Sequence, residues 1–123
     1  MRLALYAFAE FLRYEFAAKF GGFKRVCASV RNLPVADSIY DSATIAGVCD
    51  AVELAACFYW KPMLCLPRSV VTTRLLRKRG VPAQLVIGYQ PSPFQSHAWV
   101  EVGGKIIQDS RISPVPLLEL DRL

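Results

Sequence analysis

CLPRSVVTTRLLRKRGVPAQLVIGY, residues 65–89, and SHAWVEVGGKIIQDS, residues 96–110, carry two different periodicities side by side. In the first, Leu66, Val70, Thr73 and Leu76 recur at helical spacing. Val71 and Leu75 widen the apolar stripe, and Arg68, Arg74, Arg77 and Lys78 fall largely outside it. The spacing predicts a helix over 66–79 with Cys65 at its start. Pro67 suits the first turn, where a missing N–H costs nothing, and Gly80 followed by Pro82 is a stop signal. Beyond it, 83–89 reads as a buried strand, Pro91-Ser92-Pro93 as a turn and 98–102 as an alternating strand. Gly103-Gly104 suits a two-residue hairpin with 105–109 returning. His97 opens one hairpin strand and Asp109 closes the other, so folding at Gly103-Gly104 is expected to bring them to the same end of the sheet. The expected fold class is α+β.

A cysteine, a histidine and an acid in that order make a chemical set. A thiol of ordinary pKa is mostly protonated at neutral pH, but a helix N-terminus and a neighbouring imidazolium lower that pKa by roughly one to five units. The thiolate attacks a carbonyl, the histidine protonates the leaving amine, and the acid fixes the ring's tautomer. Backbone N–H groups at the helix start are placed to hold an oxyanion. On its own, a single histidine at a strand start is more often a half-buried polar residue, and an Asp at a strand end a cap. Gln108 is an alternative partner for the ring.

The pattern CL, a helix ending LLRKRGVPAQLVIGY, then PFQSHAWVEV and an acid at Asp109, resembles the transglutaminase-like cysteine proteases that remove leader peptides in lasso-peptide biosynthesis. The match covers 65–109 well and extends loosely to the N-terminal helix, whereas 26–61 match only in being helical. The resemblance implies one domain, 1–123, in which a helical part, 1–61, packs on a transglutaminase- or papain-like core, 62–123. It places the nucleophile on Cys65, the general base on His97 and the orienting acid on Asp109, and calls for no cofactor or metal. It also implies partners: a precursor peptide of leader and core, a separate leader-binding protein, and an ATP-dependent lasso cyclase. The length of 123 residues suits the form in which the protease is a separate short chain. Two other functions stay open, acyl transfer to a different acceptor by the same triad and a non-catalytic module that binds a leader or partner.

Composition narrows the rest. The hydrophobic fraction of 54% and a mean hydropathy of +0.30 are high for so short a chain, and point to a partner surface or membrane contact. The net charge of +5 concentrates at Arg74, Arg77, Lys78 and Arg79. That run reads as a solvated helix face, with an acidic leader or partner as the alternative. Nucleic acid is not expected, because no aromatic-basic interleaving or binding motif accompanies it. Four cysteines without a C-x-x-C pair, beside a lone histidine, do not make a zinc site. Cys27, Cys49 and Cys57 read as small core residues, and reduced thiols without an export signal place the chain in the cytoplasm.

Towards the N-terminus, 3–20 predicts an amphipathic helix stopped at Gly21-Gly22, with Glu10, Arg13 and Glu15 as its polar arc. Too many charges interrupt it for a membrane span. Core packing, docking on a partner and contact with a membrane surface all remain open for it. A short helix over 23–31 ends at Asn32-Leu33-Pro34. Asp41 or Ser42 then caps a helix to Tyr59 whose stripe is Ile45, Val48, Val52, Ala55 and Ala56. Tyr59 and Trp60 are expected to pack in the core, with a place in the substrate groove as the less common fate. The tail, 112–123, contains Pro114 and Pro116, which exclude a central strand, and is expected to pack one helical turn on the sheet.

Overall fold

In the computed structural model, residues 2–33, 42–60, 65–91, 94–103, 105–108 and 118–123 are described. Among the described residues three helices, α1 (Arg2–Arg31), α2 (Ser42–Phe58) and α3 (Cys65–Lys78), precede the strands β1 (Ala83–Pro91), β2 (Phe94–Val102), β3 (Lys105–Gln108) and β4 (Leu118–Arg122). The sheet is antiparallel in the order β3-β2-β1-β4. This is the expected α+β arrangement.

α3 is the centre of the molecule. From Ser69 to Arg77 every residue is buried, because α1 and α2 cover it on one side and the sheet on the other. One cluster joins Phe11 of α1, Val48, Val52 and Ala55 of α2, Val71, Leu75 and Leu76 of α3, and Val100 and Val102 of β2. A second joins Val26 and Val30 of α1 with Val70, Leu85, Ile87 and Ala98. Of the stripe predicted for α2, Val48, Val52 and Ala55 are buried and Ile45 and Ala56 are half-buried against them, while Asp41, the alternative cap, lies outside the described residues.

α1 is two helices in series. Gly22 interrupts it at φ 67°, ψ −165°, a conformation reserved for glycine. The stop expected at Gly21-Gly22 and the second short helix are thus both present. Replacing Gly22 with Ala is expected to cost about 1–3 kcal/mol. Gly47, inside α2 with open space around it, is the control: Gly47→Ala is expected to stabilise by about 0.5–1 kcal/mol. Urea denaturation followed by circular dichroism separates the two, and equal effects would remove the conformational explanation.

The basic run of α3 departs from expectation. Arg74 and Arg77 are 5% and 6% exposed, not solvated. Arg74 donates from Nε to Glu10 Oε2 at 2.7 Å and from Nη1 to the Ser29 carbonyl at 2.5 Å. Arg77 donates to the carbonyls of Ala83, Val30 and Leu33. The C-terminal carbonyls of α1, which a helix cannot satisfy by itself, are therefore capped by guanidinium groups from α3. Periodicity placed these arginines outside the apolar stripe correctly, but α1 packs on that side too. Glu10 is likewise turned inward at 7% exposure, so the polar arc expected on α1 is in part a buried one.

The tail is corrected as well. Residues Leu118–Arg122 form an edge strand beside β1, with Ile87 opposite Asp121 and Tyr89 opposite Leu118, where one helical turn was expected. Reciprocal backbone bonds between Leu85 and Leu123, of 3.0 and 2.7 Å, continue the ladder. The alternation of Leu118 and Leu120 with Glu119 and Asp121 has the period of a strand, and an edge position beyond Pro114 and Pro116 is compatible with them.

Candidate active site

Cys65 is the first residue of α3, and Pro67 is buried in the turn that follows. A helix start leaves its first N–H groups unsatisfied and carries a partial positive charge. Both favour a thiolate and a developing oxyanion. No acidic residue lies in this first turn, and Arg68 adds a cation there. Arg68 Nη1 is 3.3 Å from Glu53 Oε2 of α2, a half-exposed pair of small energetic weight that ties α2 to the start of α3.

The other thiols sit in settings unlike this one. Cys27 is buried in α1. Burial pushes the Cys49 thiol pKa up, and the charges of Asp50 and Glu53 push it further, which disfavours the nucleophilic form. Cys57 is exposed at the end of α2, contrary to the expected core position, because the stripe of α2 runs through Val48, Val52 and Ala55 and leaves Cys57 outside it.

His97 lies within β2, which begins earlier than expected, at Phe94. Its neighbour on the strand, Ala98, shares a cluster with Val70 and Ile87, and Leu66, next to Cys65, packs against that cluster. Ala98, Val100 and Val102 belong to the clusters that include α3, so strand alternation turns His97 to the same face as Trp99 and Glu101. The residue opposite His97 across the ladder is Gly88, which has no side chain to occupy the space beside the ring. His97 is half-buried, and its Nδ1 is buried with no hydrogen-bond partner among the described residues. A buried polar atom left in that state calls for a partner.

The hairpin expected at Gly103-Gly104 is present, with Val102 paired to Lys105 and Gly103 at φ 60°. A bulge shifts the β2–β3 register between Val100 and Glu101, and the ladder ends with Val100 opposite Gln108. Asp109, the following residue, lies outside the described residues. Beside the hairpin, Trp99 Nε1 donates to Glu101 Oε2 at 2.8 Å, and both residues are buried. Neither residue was singled out from sequence; the two-residue spacing along β2 is the signal that pairs them.

Tyr59 is buried, as expected, against Phe8 and Phe11. Trp60 is not. It is 68% exposed and stacks on Tyr59 with centroids 4.1 Å apart, two residues beyond the end of α2 at Phe58.

A family model described as the transglutaminase-like superfamily matches residues 11–117, most of the chain. Among curated proteins, the microcin J25-processing protein McjB of Escherichia coli is 50% identical over 46 residues, which make up 37% of this chain and 22% of that protein. The match thus spans less than a quarter of that relative's length. No solved structure matches the chain. With α3 and strands β1 to β3 inside a match that covers most of the sequence, the chain belongs to the transglutaminase-like superfamily.

Proposed function

We propose that the chain is a cysteine endopeptidase that removes the leader from a ribosomally made lasso-peptide precursor. Cys65 is the nucleophile, His97 the general base and acid, and Asp109 the group that orients His97. The observation that carries this reading is the 50% identity over 46 residues to a microcin-processing protein, within a match to the transglutaminase-like superfamily over residues 11–117. The helix-start position of Cys65 and the buried Nδ1 of His97, which has no hydrogen-bond partner among the described residues, support the assignment of roles.

In the proposed reaction the Cys65 thiolate attacks the carbonyl carbon at the leader–core junction, and the carbonyl electrons move to oxygen. The first N–H groups of α3 stabilise that oxyanion. As the intermediate collapses, the C–N bond breaks and the leaving amine of the core takes a proton from the His97 imidazolium. A thioester to Cys65 remains. Neutral His97 then takes a proton from water, the hydroxide attacks the thioester, and the leader carboxylate departs as the thiolate is restored. The core passes to an ATP-dependent cyclase, and a separate leader-binding protein presents the precursor. We place this chemistry in the cytoplasm, where thiols stay reduced.

The test is direct. Purified chain, precursor and leader-binding protein are incubated together and the products weighed by mass spectrometry. Leader and core as two fragments are expected; an intact precursor, in the presence of the folded chain, removes the reading. A finer expectation concerns Asp109→Asn. An amide holds the ring in the wrong tautomer, and in a serine protease that change costs about ten-thousand-fold. A thiolate–imidazolium pair is already ionised and leans less on the carboxylate, so a loss on the order of ten- to a thousand-fold in single-turnover rate is expected. His97→Ala is expected to be at least as damaging. A rate within about twofold of wild type, under one kcal/mol in barrier, would make Asp109 a strand cap.

A further inference from the structure

The outward side of α1 combines apolar surface with positive charge. Leu5, Leu12, Phe16 and Phe20 lie along one stripe at about 100° per residue, opposite the face that packs on α2 and α3. They are 67%, 42%, 61% and 63% exposed, and Phe23 beyond the Gly22 break is 53% exposed. The rings of Phe16 and Phe20 touch with centroids 4.6 Å apart, and Lys19 Nζ lies 5.9 Å from the Phe20 centroid. The exposed charged residues of α1 are all cations: Arg2, Arg13, Lys19, Lys24, Arg25 and Arg31. Glu10 is buried and Glu15 half-buried. Arg13 and Lys19 flank the stripe on opposite sides.

An apolar stripe of this length calls for a covering surface. A second copy would bring one cationic rim against another. A protein partner would have to bury lysines, which protein interfaces tend to exclude. A planar anionic surface meets both demands. Leucine and phenylalanine enter the boundary between headgroups and acyl chains, while the long basic side chains reach outward to phosphate. Among the described residues no helix is long and apolar enough to cross a membrane, so such a helix lies on the surface rather than spanning it.

We propose that α1 docks on an anionic lipid bilayer through Leu5, Leu12, Phe16 and Phe20, with Arg13 and Lys19 on the headgroups. This stands apart from the catalytic reading. It is tested by flotation of the full chain with vesicles of phosphatidylcholine alone and of phosphatidylcholine mixed with phosphatidylglycerol; aggregates sediment while bound protein floats. The chain is expected to float with the anionic vesicles and scarcely with the neutral ones. Changing Phe16→Ser and Phe20→Ser together, at exposed positions that leave the core intact, is expected to lower binding about tenfold or more. Arg13→Gln and Lys19→Gln are each expected to cost about fivefold, on anionic vesicles only, and added salt should act the same way. Circular dichroism confirms that each variant is folded. Failure to float with anionic vesicles overturns the proposal, as does binding that the phenylalanine changes leave intact. If the folded chain stays unbound yet forms a complex with an acidic protein that these changes abolish, the face belongs to that protein.

Discussion

Cys65→Ala is expected to bring leader cleavage below detection, a loss on the order of a million-fold where a nucleophile is removed from a triad enzyme. The far-ultraviolet spectrum and the binding of precursor should be unchanged, because Ala is a good helix residue at the first position of α3. Cys49→Ala is the matched control. Its thiol is half-buried and its pKa is raised by burial and by Asp50 and Glu53, so it is a poor nucleophile, and its loss should cost some stability while sparing the rate. Residual cleavage by Cys65→Ala, or an inactive but folded Cys49→Ala, would move the nucleophile elsewhere.

The largest effect on stability is expected at Glu10. Its carboxylate accepts from Arg74 at 2.7 Å and from Lys78 at 2.6 Å, with Arg74 itself buried. Removing one member of a buried pair leaves an uncompensated charge, so Glu10→Ala is expected to cost about 3–5 kcal/mol. Against a total of about 5–15 kcal/mol, that is enough to unfold much of the protein at moderate urea. Lys78 is 45% exposed and contributes less. Glu10→Leu combined with Arg74→Met should recover part of the loss, since an apolar pair removes the orphaned charge while the Ser29 carbonyl still loses its Arg74 donor. A double variant as unstable as Glu10→Ala would assign the cost to lost packing.

The same network sets a pH dependence. Burial alone pushes the Glu10 carboxyl up, but hydrogen bonds and charges from Arg74 and Lys78 outweigh it and hold the group below its ordinary range. A carboxyl with a depressed folded-state pKa binds its proton more readily in the unfolded chain. Its contribution is complete well above an unfolded pKa of about 4.3 and is lost as pH falls through the folded value. Glu10→Gln is expected to flatten the acid limb of a stability–pH curve measured by urea titration. An unchanged limb would mean that other carboxylates dominate acid unfolding.

Elements with strong periodicity were legible in the sequence. α3, with Pro67 and Gly80 as its punctuation, the Gly103-Gly104 hairpin and the Gly21-Gly22 break are all where local rules put them. The misreadings of Arg74 and Arg77, Glu10 and residues 118–122 share one cause, a tertiary neighbour that a single segment does not reveal. Arg74 and Arg77 look solvated until α1 covers them. Glu10 looks like a surface residue until it meets Arg74. Residues 118–122 become a strand because β1 offers an unpaired edge. The exposed stripe of α1 is the mirror of this. Composition registered too much apolar surface for the chain's size, and only the packing of α1 on α3 identifies which side chains are left outside. Of the candidate site, the position of Cys65 on α3 and of His97 on β2 followed from helix and strand signals, whereas the bulge between Val100 and Glu101 has no such signal.

The central claim is that Cys65 is a thiolate activated by His97. It is tested most directly by reacting the folded wild-type chain with a limiting amount of a thiol-directed reagent at neutral pH and mapping the labelled cysteine by peptide mass spectrometry. Labelling at Cys65 ahead of Cys49 and the exposed Cys57, with a rate that falls in folded His97→Ala, is the predicted result. Labelling of Cys57 ahead of Cys65, or a Cys65 rate indifferent to His97, would contradict it.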